Sequence, residues 1–391
     1  TVGPVGGHIS VGAMPRSYQV TPAGPSHLAP TKRMHANPKA ATKPKSQTPD
    51  DQDPTTATRG NLTLTLTSSL PTTSDGSGPY GDEVRFSIAI HQFDETGFDS
   101  AGLRDYLKRA EELGFEGGWV LEQIIGEARL LAPLELLAWA AGCTERLRLG
   151  VAVLVSSLHD PLQLASAITA VDRLSHGRLD VGVAPGGGRR RFAAFGVDGA
   201  TFISSFTEGL QLMKAAWSDE PRVTFDGRFR QVDGLPIQPK PVQRPHPPIW
   251  FGGQAPKALA RAVRHGDAFL GAGSSTTAKF AEAVPIVRRE LAAQGKDAAH
   301  FPIGKRVYLM IDNDPAKARQ RALDGLHRIY GGMPGIDDVP VSGTVDDVVG
   351  GLREVIDAGA QTILLNPVGR DVAEDREQME RLAAEVIPQL R

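Results

Sequence analysis

Glu122 follows the apolar run Gly118-Trp119-Val120-Leu121, and Gln123 stands beside it. A carboxylate with an apolar approach can serve as acid or base, or it can pair with a nearby arginine, which is the commoner use. Gln123 can hydrogen-bond a carbonyl or a ring nitrogen but cannot titrate. Ser156, Ser157 and His159 lie on one short stretch. A serine and a histidine three residues apart are usually a coincidence, and the chain has no GxSxG elbow. No histidines stand at HExxH spacing. The one cysteine, Cys143, excludes an intramolecular disulfide framework and a cysteine-built metal site, so no metal centre is expected. Cys143 reads as a small core residue inside an alanine-rich helix. These side chains offer little reactivity of their own, which is the pattern of a reaction carried by a cofactor.

Two glycine-rich stretches could hold such a group. Gly252-Gly253-Gln254-Ala255 precedes a helix opening at Pro256. Glycine lets backbone N–H groups approach an anion, and a helix N-terminus adds a favourable dipole, so the stretch suits a phosphate; a bare turn is the alternative. Pro185-Gly186-Gly187-Gly188 leaves room for a flat ring against backbone. Arg189, Arg190 and Arg191 follow it, either steering anions or forming a solvated run.

The elements that must position these residues alternate. Strand-like runs occupy 84–90, 118–121, 147–155, 179–183, 249–251, 268–270, 307–311 and 362–365. Helical periodicity fills the intervals. Over 98–113 it sets Leu103, Tyr106, Leu107, Ala110 and Leu113 on one face, and Gly114 ends it. Asp160 is placed to cap a helix opening at Pro161. Segments 223–225 and 228–230 around Asp226-Gly227 read as a small hairpin inserted after the fourth helix. Strands apolar throughout imply burial on both faces. Eight βα units close most simply into a (β/α)8 TIM barrel, with an open doubly wound sheet as the rival. A barrel places its reaction site in the loops after the strands, where the residues above stand.

The first 82 residues differ. Eleven of the 29 prolines fall between Pro4 and Pro79, among Thr, Ser, Gly and Ala. Such a segment cannot bury enough apolar surface to offset its ordering entropy, so a disordered tail is expected over 1–82 and the barrel over 83–391. Leu62, Leu64 and Leu66 alternate with threonine and could form one short strand. For the whole chain, 43 Lys and Arg against 45 Asp and Glu give a net charge of −2, without the basic excess of a nucleic-acid-binding protein. No run approaches a membrane span, and the N-terminus has no signal-like apolar stretch, so a cytoplasmic enzyme is the expectation.

Several stretches resemble, in order, the luciferase-like flavin monooxygenase family, which also holds deazaflavin (F420)-dependent oxidoreductases. They are Ala110-Glu111-Glu112-Leu113-Gly114-Phe115 with Trp119-Val120-Leu121-Glu122; Leu147-Arg148-Leu149-Gly150-Val151-Ala152-Val153; His159-Asp160-Pro161; Asp172-Arg173-Leu174-Ser175-His176-Gly177-Arg178; Phe192-Ala193-Ala194-Phe195-Gly196-Val197; and Pro247-Pro248-Ile249-Trp250-Phe251-Gly252-Gly253. The resemblance covers essentially everything after Glu83.

It implies a TIM barrel and a cofactor, either reduced FMN or F420. It also implies a non-proline cis peptide at Val151-Ala152 beneath the ring, Gly186 and Gly187 flanking ring or tail, and Gly252, Gly253, Gln254 and Ala255 at the phosphate. Glu122, Gln123 and His159 are the candidate catalytic residues. Many relatives carry histidine after the second strand, where this chain has Gln123 and Ile124, so that histidine's role is open here. The FMN version oxidises a small organic substrate with O2 and takes reduced FMN from a separate reductase. The F420 version moves a hydride. A non-catalytic flavin-binding barrel and an unrelated phosphate-binding barrel isomerase are the other readings. Relatives are often homodimers.

Overall fold

The computed structural model describes residues 83–93, 97–187 and 192–391. The 62–66 strand, Gly188 and Arg189 to Arg191 lie outside the described residues.

Eight parallel strands pair in the order β1 (Arg85–Ala89), β2 (Gly117–Val120), β3 (Arg148–Val155), β4 (Leu179–Ala184), β7 (Ile249–Gly252), β8 (Ala268–Gly271), β9 (Ile303–Ile311) and β11 (Thr362–Pro367). Phe269 pairs with Ile303 across β8 and β9, and Phe86 pairs with Ile363 across β1 and β11. Both seams are therefore closed, and the open-sheet rival falls. Helices α1 (Ser100–Glu112), α2 (Pro133–Ala141), α3 (Pro161–Leu174), α4 (Phe202–Trp217), α5 (Pro256–His265) and α6 (Thr277–Ala293) follow the first six barrel strands. The main core lies between strands and helices, with Leu107, Leu137, Ile168 and Val263 fully buried against outward strand residues such as Leu149 and Leu309. Trp119 and Trp250 meet edge to face inside the barrel, with ring centres 5.6 Å apart.

Three expectations shift. The seventh barrel strand begins at Ile303, not Val307, and all nine of its residues are buried. Lys305 and Arg306 break the apolar pattern, but both are accommodated. Lys305 Nζ donates to the carbonyls of Ala272 (2.6 Å) and Ser275 (2.8 Å), and Arg306 lines a cavity at the barrel mouth. The inserted hairpin pairs β5 (Val223–Asp226) with β6 (Gln231–Leu235). The segment 228–230, expected as its second strand, is the turn, because the Glu208 carboxylate gathers the N–H groups of Arg228, Phe229 and Arg230 at 2.7–2.8 Å. Cys143 lies just past the end of α2, partly buried against the main core.

Two helices separate β9 from β11. A short strand, β10 (Val341–Gly343), pairs with the last residues of β9 and explains why. The second helix, α8 (Val345–Asp357), makes the crossover to β11. The first, α7 (Pro315–Tyr330), packs over a separate apolar cluster of Tyr308, Met310, Leu326, Ile329 and Val368. Arg328 of α7 donates to the Gly369 carbonyl (2.6 Å) and lies over the Phe93 ring. The helix thus bears on the segments that follow β1 and β11. A last helix, α9 (Val372–Arg381), returns along α1.

The stretch from Asp172 to Arg178 is a staple at the start of β4. The Asp172 carboxylate accepts from the Val242 and Gln243 backbones and the Gln243 side chain. The Arg178 guanidinium donates to the carbonyls of Ala141, Thr144, Leu147 and Ser175. Carbonyls of a loop that folds away from solvent need such donors, because an unpaired buried acceptor is costly.

Candidate active site

The C-terminal ends of the strands surround a cavity of 660 Å³. Glu122 and Gln123 after β2, Ala152 of β3, Gly186 and Gly187 after β4, Gly252 at the end of β7, and Gly253, Gln254 and Ala255 after it all line it. Two of the sequence-predicted residues do not. Val151 is fully buried in the main core, and His159 faces an adjoining cavity that shares Glu122 and Gln123.

The cis peptide lies one residue beyond its expected place, at Ala152–Val153. The β3–β4 register shifts between Val151 and Leu154 at this point, so both Ala152 and Val153 reach the cavity wall. Arg306 Nη1 donates to the Ala152 carbonyl at 3.0 Å, while its Nε donates to Asn366 Oδ1 at 2.6 Å. A buried cation thus fixes the peptide from across the barrel.

Glu122 pairs with no arginine among the described residues. Its side chain is 2% exposed; Oε1 lies 2.8 Å from His159 Nε2, and Oε2 accepts the Val155 N–H at 2.5 Å. Asp160 caps α3 through the N–H groups of Leu162 and Gln163, which fixes the chain immediately after His159. The hydrogen bond to Glu122 raises the imidazole pKa above its ordinary value, against the opposing effect of burial. Neither Ser156 nor Ser157 joins this pair through its hydroxyl; the His159 N–H instead donates to the Ser156 carbonyl. A histidine therefore does reach the end of β2, from the loop after β3.

Gln123 Nε2 donates to the Ile329 carbonyl at 2.9 Å and draws the end of α7 to the cavity, where Ile329 and Tyr330 form part of the wall. Its Oε1 is buried without a partner.

Gly187 has open space where a Cβ would stand, whereas Gly186 and Gly253 pack against the protein itself. Gly186 sits at φ +75°, and a Cβ there would come within 2.4 Å of Val155. A Cβ on Gly253 would touch Ala258 of α5 at 3.0 Å. Ala255, the N-cap of α5, offers no side-chain acceptor, and Pro256 follows it. The N–H groups at that helix start are left without a side-chain cap, the condition for anion binding. The uncapped helix start, beside a cavity that the open Gly187 also lines, fits a group that carries a phosphate.

Arg306, Asn366, Ile329 and Tyr330 escape the sequence reading. Asn366 had a signal, a polar residue closing the apolar run 362–365. Arg306 stands just before the expected strand 307–311, so no strand pattern marked it. Ile329 and Tyr330 had none, because their place depends on α7 crossing the mouth. Among the described residues no three potential metal ligands cluster, and no helix is long and apolar enough to cross a membrane.

Comparison with known proteins agrees with this architecture. The chain is 34% identical over 158 residues to the uncharacterized protein y4vJ of Sinorhizobium fredii, a match spanning 40% of this chain and 45% of that protein. The monooxygenase RslO1 from Streptomyces bottropensis superposes with a TM-score of 0.68 at 23% identity, over 78% of this chain and all of that one. An F420-dependent secondary alcohol dehydrogenase, in complex with an F420-acetone adduct, also gives 0.68, at 17% identity over 79% of this chain and 99% of its own. These two likenesses establish the fold. A family model for luciferase-like monooxygenases matches residues 77–385, and the chain belongs to that family.

Proposed function

We propose that this protein is a flavin-dependent monooxygenase that uses reduced FMN and O2 to oxidise a small organic substrate. When bound, reduced FMN supplies two electrons, so that one atom of O2 enters the substrate and the other leaves as water. The observation that supports the reading is one cavity lined by the uncapped α5 start, the open Gly187 and the Arg306-held peptide of Ala152 and Val153.

The N–H groups from Gly253 to Ala255 would hold the phosphate, with Gly253 keeping the backbone open to it. Gln123, which lines the same cavity, would contact the ring and moves no proton. Val153, Leu270 and Ile329 supply apolar wall that excludes water. His159 Nε2 lies 2.8 Å from Glu122 Oε1, which places a titratable imidazole at the edge of the site. Among the described lining residues the one cation is Arg306, already committed to Asn366 and Ala152. The Trp119-Val120-Leu121-Glu122 stretch is what ranks FMN ahead of F420 here. A separate flavin reductase would complete the system.

The test is to titrate FMN, reduced FMN and F420 separately. The expected result is tight binding of reduced FMN, with the reduced form consumed in the presence of O2. Tight F420 binding without FMN binding would replace the oxygenase with a hydride-transfer enzyme. FMN binding with no turnover for any donor would leave a flavin-binding barrel.

A further inference from the structure

The second cavity, of 570 Å³, lies between the N-terminal ends of α2 and α3 and meets the first at Glu122 and Gln123. Much of its wall is hydrocarbon, with leucines 130, 131 and 134 on the side of α2 and leucines 154, 158 and 164 opposite. Its charged wall has one sign apart from the histidine. Glu122, Glu135 and Asp160 line it together with His159, and no lysine or arginine does so among the described residues. Glu122 is engaged by His159, and Asp160 by the start of α3. Glu135 is exposed and makes no ion pair with the described residues, yet it is close enough to help raise the His159 pKa. An anion drawn into this crevice would lose water and find no counter-charge except the imidazole that Glu122 already holds. A cation would meet carboxylates, and a hydrocarbon chain would meet leucines.

From this wall we infer that the cavity holds the organic substrate, and that the substrate is an apolar amine with its ammonium toward Glu135 and Asp160. The inference rests on reading the 660 Å³ cavity as the cofactor site, since the shared wall of Glu122 and Gln123 is what would bring the two molecules together.

Calorimetric titration of the full chain at pH 7 with 1-octylamine, 1-octanol and octanoate compares one hydrocarbon under three headgroups. The amine is expected to bind about tenfold or more tightly than the alcohol, and octanoate not measurably. Octanol binding as tightly as the amine, or octanoate binding at all comparably, would overturn the substrate class. Glu135→Gln, an exposed change, should narrow the gap between amine and alcohol; an unchanged gap would count against the assigned headgroup position. Leu134→Trp should abolish octylamine binding and leave FMN binding intact, because Leu134 does not line the cofactor cavity. Octylamine binding unaffected by Leu134→Trp would remove the assignment to this cavity. FMN titration of the same samples separates the two readings. If neither FMN nor F420 binds while the amine still does, the cofactor reading has failed and the cavity no longer counts as a substrate site.

Discussion

The two ends of this barrel use similar residue types to opposite purpose. At the N-terminal end, Asp172 and Arg178 spend most of their hydrogen bonds on backbone groups within the fold. At the C-terminal end, Gln123 Oε1 is buried without a partner, the start of α5 has no side-chain cap, and Glu122 holds a histidine. The most recognisable motif of the chain is therefore structural. The site is built from unremarkable pieces that leave something unsatisfied. An unsatisfied atom alone does not mark a site, since Glu116 Oε2 is also buried without a partner just before β2; the cavity at the strand ends is what separates the two ends.

Arg178→Ala gives the largest expected break in this contrast. It leaves several loop carbonyls without donors and should lower the unfolding free energy by about 2–4 kcal/mol in urea titration. FMN affinity of the folded fraction should stay unchanged; a fall in affinity at constant stability would reverse the assignment of the two ends. Gly253→Val should do the opposite. With a Cβ already 3.0 Å from Ala258, the added bulk crowds the start of α5 and should weaken FMN binding by about tenfold or more, a loss of about 1.4 kcal/mol or greater, with little change in melting temperature. Flavin fluorescence titration measures it, and wild-type affinity would take the phosphate away from this loop.

Lys305 tests the middle ground, a structural cation that holds the loop after β8. Burial, with Arg306 beside it, pushes its ammonium down to about 7. The unfolded value is about 10.4, so between the two the unfolded chain binds the extra proton and wild-type stability rises with pH. Lys305→Met removes that rise. In urea unfolding at pH 7 and pH 9.5 the wild type should gain on the variant at the higher pH; a difference independent of pH would mean that Lys305 keeps its proton in the fold.

The smallest effect is expected from Glu122→Gln, which removes the main cause of the raised His159 pKa, so the imidazole should titrate lower in an NMR pH series. A group raised in the fold adds stability below its unfolded value, about 6.5, and that contribution fades as pH rises through the folded value. The wild type should therefore lose ground to the variant across that window. An unmoved His159 titration would show that the pair is not what sets its proton.

Much of the fold was legible because it is local. Apolar runs at strand length, Gly114 after α1 and Asp160 before Pro161 each act within a few residues. The second strand of the hairpin misled because Arg228 to Arg230 look extended, while a carboxylate on α4, twenty residues earlier in the chain, folds them into a turn. The start of β9 was hidden because two cations stand in a buried strand, which only distant carbonyls and Asn366 make tolerable. The glycine loops were readable as possible cradles, since the absence of a side chain is visible in the letters themselves.

By itself the sequence determined the alternation of strands and helices, the eight strands of the barrel, the family, and the loops that had to be read. Tertiary structure alone decided that β8 meets β9, that His159 reaches Glu122 across 37 positions, that Arg306 grips the carbonyl of Ala152, and that α7 lies over the mouth. Periodicity records which face of an element is buried, but not which other element buries it. The partners of a polar atom are fixed only when the ring of strands closes and brings residues distant in the chain within hydrogen-bonding reach.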